Sequence, residues 1–258
     1  MRMLCYMTGA EEDALEVPSP GGALTGLHAR VLDRIGLAIC AGDPPAGRLL
    51  YIDDLVERYA VSRSVVREAL RVLSSMGMVA SRRRVGTLIL PPTRWNLFDP
   101  AVVRWRLATH GRKEQLRSLT ELRTAVEPQA ALYAAERATP DVASQLVGLA
   151  ARMWAAGQGG DQAEFLRLDI EFHRLVLEAS GNDMLLKLHE LVAEVLAGRH
   201  HYGLMPHHPH EDALQLHADV AHAIQHKDGE RARTAMMRIM EQALLEMGSI
   251  WDRVGESP

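Results

Sequence analysis

From Val61 to Met76 the chain segregates basic and apolar residues with a helical period, and that stretch limits what the molecule can be more than any other. At about 100° per residue, Val65, Ala69, Val72, Leu73 and Met76 share an apolar arc, and Arg63, Ser64, Arg67, Arg71 and Ser74 lie opposite. Ser62 or Ser64 is placed to cap the helix N-terminus with its hydroxyl. Such a helix can anchor in a core and still present guanidinium groups to an anionic polymer. An ordinary amphipathic helix with a solvated face has the same pattern, so its neighbours must decide.

Upstream, Asp53 to Ala60 reads as a short helix, and Tyr59 to Ser62 is a link of helix-turn-helix length. Downstream, Met78 to Ser81 and Thr87 to Leu90 read as two strands around Arg82-Arg83-Arg84-Val85-Gly86. Together they predict a winged helix-turn-helix.

Val61-Ser62-Arg63, Val66-Arg67-Glu68-Ala69-Leu70, Leu73, Gly77-Met78-Val79 and Gly86-Thr87 together resemble the GntR family of bacterial transcription regulators. The resemblance implies a homodimer on double-stranded operator DNA, its recognition helices in the major groove and its wing tips at the minor groove. It implies that Ser62, Arg63, Ser64 and Arg67 contact phosphates and base edges, with Arg71 on the same face. Gly86 would let the wing backbone approach DNA. Asp53 departs from the pattern, since relatives commonly carry a DNA-contacting arginine there.

A chain of 258 residues is long enough for two modest cores, and abundant Ala, Leu, Val, Met and Arg with few aromatics favours helices. No apolar run approaches the roughly 18–20 residues of a membrane span, and the first residues lack a signal-peptide pattern, so a cytoplasmic protein is expected. Two cysteines, Cys5 and Cys40, support neither a disulfide framework nor a cysteine zinc site. The net charge of −4 divides unevenly: residues 24–92 carry +4, residues 1–23 carry −3 and residues 93–258 carry −5. A basic module on an acidic body concentrates attraction for phosphate in one place.

The fold class expected is mainly α, an N-terminal winged helix-turn-helix followed by an all-helical effector-binding bundle. Residues 1–22 read as a disordered arm, 23–92 as the DNA-binding domain, 93–112 as a linker and 113–253 as the bundle. Helices are predicted at 24–41, 100–109, 114–138, 140–156, 161–180, 182–203, 211–227 and 229–252.

In the bundle, Asp169 and His173 stand four residues apart, about 40° apart on one helix face, at the margin of an apolar arc of Leu168, Phe172, Leu175 and Val176. Such a pair can share a metal ion. His217 sits inside the apolar arc of its own helix, as a hydrogen-bonded core residue or as a ligand. Leu122-Arg123, Glu127-Pro128, Ala134-Ala135, Asp169, Phe172-His173, Gly181-Asn182, His217, Val220, Ala223-Ile224, Asp228, Ala232 and Met236 resemble the effector domain of the FadR subfamily. That resemblance implies a six- or seven-helix bundle around a small-molecule cavity, with zinc, nickel or a similar ion held by one Asp and three His. Asp169, His173 and His217 fill three of those places, and Ile239 stands at the fourth.

Arg123 is the candidate for an anionic effector, its alternative being an intrahelical ion pair with Glu127. Arg199 is a second candidate, its alternative a solvated charge. His200, His201, His207, His208 and His210 read as a polar loop region, and His222 and His226 as solvent-facing. The expectation is a ligand-responsive regulator, a repressor answering to a small organic acid. Trp95 to Trp105 resembles the linker of sugar-acid regulators in the subfamily. The alternatives are a metal sensor and a metal-dependent hydrolase, and the latter lacks an obvious nucleophile or general-base motif beside the metal residues.

Overall fold

A computed structural model describes residues 26–204 and 209–255, so the predicted arm, Cys5, His207 and His208 lie outside the described residues. Helix α1 (Leu27–Ala41) is followed by strand β1 (Leu49–Leu50), helix α2 (Ile52–Tyr59), helix α3 (Arg63–Ser75) and strands β2 (Val79–Arg82) and β3 (Gly86–Ile89). The strands form an antiparallel sheet in the order β1-β3-β2, with Leu50 opposite Thr87 and Arg82 opposite Gly86. The two-residue β1 was not expected, because so short a strand leaves no alternation to read.

The Ser62 hydroxyl caps α3 by accepting the Val65 N–H at 3.4 Å. The buried face of α3 is Val66, Ala69, Leu70 and Leu73, with Val65 and Val72 only half-buried. That differs from the predicted arc by about one residue of rotation. Residues of α1, α2 and the sheet share one core with α3 and reach it from more than one side, so the arc they cover is not the one that alternation within α3 suggests.

The predicted linker is structured. After a 3-10 turn at Pro92–Arg94, the Asn96 N–H donates to the Met76 carbonyl at 2.8 Å and the Trp95 indole donates to the Leu90 carbonyl at 2.9 Å. Helix α4 (Pro100–Leu107) then splits its apolar residues between two cores. Val102 and Trp105 join the winged module, and Val103 and Leu107 join a cluster with Leu116, Leu119, Leu191 and Val195 in the second domain.

That second domain comprises α5 (Arg112–Arg137), α6 (Pro140–Gly159), α7 (Gln162–Ala179), α8 (Asp183–Leu186), α9 (His189–His201), α10 (Glu211–Gln225) and α11 (Gly229–Gly255). One helix predicted over 182–203 is two, α8 and α9, because the Asn182-capped turn ends at Lys187 and a new helix begins after Leu188. Helix α5 packs on α11 and α7, and a small-residue run of Ala130, Ala131, Ala134 and Ala135 lets the helices approach closely. Cys40 is a half-buried free thiol, and burial pushes it up to about 12, with the Arg106 charge acting in the opposite sense. Among the described residues no helix is long and apolar enough to cross a membrane.

The joint between the domains depends on Gly36 of α1, where an added Cβ would lie 2.5 Å from the Trp105 ring. The ring cannot simply retreat, since its indole N–H donates to Asp33 Oδ1 at 3.0 Å. Overpacking of about 1–3 kcal/mol therefore outweighs the helix-propensity gain of about 1 kcal/mol, and Gly36→Ala should lower the urea midpoint. Gly148, exposed in α6 with open space at its Cβ position, should respond in the opposite direction when changed to alanine.

Candidate functional site

The first site is the face of α3. Ser62, Arg63, Ser64, Arg67 and Arg71 are all exposed, and in the wing turn Arg82, Arg83 and Arg84 are exposed as well. Two of the α3 arginines hold carboxylates. Arg71 donates from Nε and Nη2 to Glu68 at 2.9 and 2.5 Å, and Arg63 Nη2 lies 2.5 Å from Oδ1 of Asp53. Arg67 has no acidic partner among the described residues. Gly86 adopts φ 136°, and a side chain there would crowd the Leu50 carbonyl at 3.2 Å and the Tyr51 ring. Its smallness thus serves the packing of the wing on β1, an intramolecular reason beside the expected one of approach to DNA. The wing arginines were visible as a run of three but had no assigned role.

The second site is a polar cluster inside the bundle. Asp169 and His173 come from α7, and His217 comes from α10. They are buried, not marginal, because α5 and α9 pack against α7 and α10 brings His217 onto Asp169. Asp169 Oδ1 lies 3.3 Å from Nε2 of His173 and 3.3 Å from Nε2 of His217. His217 Nδ1 is 2.7 Å from the Ala213 carbonyl, which assigns the ring proton to Nδ1 and leaves a lone pair on Nε2. His173 Nδ1 lies 2.5 Å from Oε2 of Glu127, off the ideal hydrogen-bond line, and this likewise turns the Nε2 lone pair toward Asp169. The Phe172 ring meets the His217 ring edge-on at 5.2 Å and holds it in place.

Three acceptor atoms therefore face one another inside the protein, and Asp169 Oδ1 and His217 Nε2 have no hydrogen-bond partner. Buried acceptors so arranged need a proton or a cation between them. A tetrahedral ion with bonds of about 2.0–2.1 Å separates its ligand atoms by about 3.3–3.4 Å, which matches both Asp169 distances. The carboxylate on His173 and the carbonyl on His217 are the outer partners that metal-bound histidines ordinarily have. The donor set fits a divalent ion such as zinc or nickel. Ile239, buried and lining the same cavity, offers no fourth ligand atom.

Burial alone would raise the Asp169 carboxyl, but contacts with His173 and His217 hold it well below the usual carboxylate range. Burial would also raise Glu127, yet Arg123 first and His173 second bring it down to about 2. For His173 burial favours the neutral ring, and the Glu127 charge overcomes this and raises it to about 8.

Arg123 is buried, with Nε 2.5 Å from Glu127 Oε1 and an Nη2 contact to His173 Nε2 at 3.3 Å. The intrahelical pair and the cavity-lining guanidinium are thus one arrangement. Arg199 of α9 is 5 % exposed, not solvated, and it lies 2.8 Å from Glu246 of α11 with its Nε unpartnered. Arg123, Arg199, Asp169, His173 and His217 line one cavity of about 50 Å³. Glu246 and Gln242 line it too and were missed. Their signal was their spacing from Ile239, which puts both on the inward side of α11. His222, His226, His201 and His210 are exposed, and His200 is half-buried.

Comparison with known proteins gives this geometry its context. The profile described as "Bacterial regulatory proteins, gntR family" matches residues 27–89, and that of the "FCD domain" matches residues 118–242. An HTH-type transcriptional regulator of Mycobacterium tuberculosis is 31% identical over 67% of this chain and 69% of its own length. The chain belongs to the GntR family. The galactonate operon transcriptional repressor of Escherichia coli is 28% identical over 86% of this chain and 96% of its own length. Among solved structures, E. coli McbR/YncC superposes with TM-score 0.52 at 20% identity, covering 88% of this chain and all of that one, a likeness of fold. As a GntR regulator with an FCD domain, the protein is a ligand-responsive DNA-binding transcription regulator, and its relatives are regulators and not enzymes.

Within this regulator, Glu127 neutralises Arg123 and also holds His173. Glu127→Ala leaves a buried guanidinium without a carboxylate, so a loss of about 3–5 kcal/mol is expected in urea denaturation. The same change at exposed Glu178, which pairs with Arg174, should cost under about 1 kcal/mol.

Proposed function

We propose that this GntR-family protein is a homodimeric repressor, working in the cytoplasm, that releases its operator when a small organic acid binds beside a divalent metal ion in the FCD domain. Charge in the cavity carries this reading. With His173 and His217 neutral, as ion ligands must be, Arg123 and Arg199 face Glu127, Glu246 and Asp169, leaving one carboxylate in excess. Asp169, His173 and His217 would hold the ion, zinc or nickel by their donor types. A bound divalent ion would turn the local excess positive and supply a Lewis-acidic partner for a carboxylate. Arg199, with its unpartnered buried Nε, would orient that carboxylate, and Arg123 would flank it. Phe165 and Leu196 exclude water from the apolar part of the ligand. A sugar acid is the favoured class, since a similar relative is named for the galactonate operon.

Ligand binding can act on DNA affinity only through different affinities for the two arrangements of the DNA modules. The route favoured runs along α9. Arg199 and Leu196 line the cavity, Glu194 pairs with Arg104 of α4 at 2.5 Å, and Gly198 leaves room for Leu107. Trp105 then carries α4 movement to α1 and so to α3. Arg67 would supply the strongest phosphate or base contact, with Ser62, Arg63, Ser64 and Arg71 beside it.

Zinc or nickel added to chelator-treated protein should raise the melting temperature, and Glu127→Gln should weaken metal affinity about 10–100-fold. No thermal response and no stoichiometric metal in protein purified without chelator would overturn the metal reading. Sugar acids should raise the melting temperature of metal-loaded protein further, and Arg199→Ala should abolish that increment alone. For DNA, Arg67→Ala should weaken binding to the promoter beside the gene by tenfold or more, with affinity falling steeply as salt rises. Equal binding by wild type and Arg67→Ala would overturn the role of that residue.

A further inference from the structure

Asp53 is an acidic residue at the DNA-binding face of a molecule whose DNA module is otherwise basic. It lies in the first turn of α2, it is exposed, and its Oδ1 lies 2.5 Å from Nη2 of Arg63, the first residue of α3. Each partner keeps more than half of its side chain in solvent, so the pair adds little to stability. Its consequence is geometric. A guanidinium held at one Nη keeps its other N–H donors open in a fixed plane, and a planar pair of donors is what reads the O6 and N7 edge of guanine. A carboxylate at the same place repels phosphate, so an arginine that could neutralise any stretch of backbone is restrained from doing so. Arg67, one turn further along α3 and without an acidic partner among the described residues, has no such restraint.

We propose that Asp53 is a specificity-determining positioning residue: it aims Arg63 at a guanine in each half-site and penalises sites that lack it. Arg67 supplies the general attraction to DNA. The proposal rests on the reading of α3 as the DNA-facing helix.

The test is selection from a duplex library with a randomised core, using the full chain as wild type, Asp53→Asn, Asp54→Asn, Arg63→Ala and Arg67→Ala, each checked for native circular dichroism. Wild type should recover a two-fold symmetric motif with a guanine preference that Arg63→Ala removes. A bidentate contact of this kind discriminates by about 5- to 150-fold, and Asp53→Asn should lose at least the lower part of that range at the same guanine. Asp53→Asn should also bind random-sequence DNA more tightly, with a salt slope steeper by about one phosphate contact. Asp54→Asn removes the same charge one residue away from the pair and should keep the guanine preference. The proposal is overturned if Asp53→Asn keeps the full preference, if it relaxes a position that Arg63→Ala leaves intact, or if Asp54→Asn relaxes the same guanine. Failure of the underlying reading looks different: Arg67→Ala would then bind both selected and random DNA as wild type does.

Discussion

A carboxylate buried among helices is the constraint to which the effector domain is built. Taking an ion out of water costs several kcal/mol, so Asp169 can exist in the core only if its neighbours are polar and correctly oriented. His173 and His217 meet that demand, and they bring demands of their own. The Nδ1 atoms need acceptors, which Glu127 and the Ala213 carbonyl supply, and the Glu127 charge requires Arg123. The cluster thus grows outward from one residue until five helices contribute to it, ending at the Arg199 and Glu246 pair. Around it the packing is apolar and dense, with alanines on α5 at the closest helix contacts.

A cluster assembled in this way suits a cation because Asp169 Oδ1 and His217 Nε2 face each other without a hydrogen-bond partner, and the Arg123 guanidinium meets the third atom, His173 Nε2. It also sits beside a helix that reaches the joint between the domains. Helix α9 carries Arg199 into the cavity and presents Glu194 and Gly198 to α4 on another face. Helix α4 is two residues deep in each of two cores, so it cannot shift against one without disturbing the other. The tight fit of Trp105 against Gly36, locked by Asp33, makes this joint stiff. Packed cores tend to hold discrete arrangements, and a stiff joint conveys a change of arrangement without absorbing it.

Much of this was legible from residue order. The helix-turn-helix could be read because its segments are short, strongly patterned and punctuated, and the charge of residues 24–92 separates from that of the rest. Asp169, His173 and His217 could each be placed on or beside the apolar arc of its own helix, and the resemblance to the FadR subfamily joined them into one set. Burial was harder. Asp169 and His173 read as marginal, and Arg199 as either a ligand or a solvated charge, because a helical wheel knows one helix and burial is decided by those that cover it. Glu246 and Gln242 escaped notice for the same reason: nothing near them in sequence says that Arg199 and the cavity lie opposite. The rotation of the buried face of α3, from Val65 and Val72 to Val66 and Leu70, reflects the same dependence on neighbours from separate elements.

Sequence by itself determined the class of the molecule. Local periodicity, capping and charge are properties of contiguous residues, and they suffice for a basic winged module followed by a helical body. Tertiary structure alone decided which charges meet. That Asp53 holds Arg63, that Glu127 serves Arg123 and His173 together, that Arg199 is buried against Glu246, and that α4 belongs to two cores are all contacts between separate elements, except the pairing of Glu127 with Arg123 within α5. Their physical origin is desolvation, which sets a cost on every charge according to everything packed around it, and no helical period carries that information.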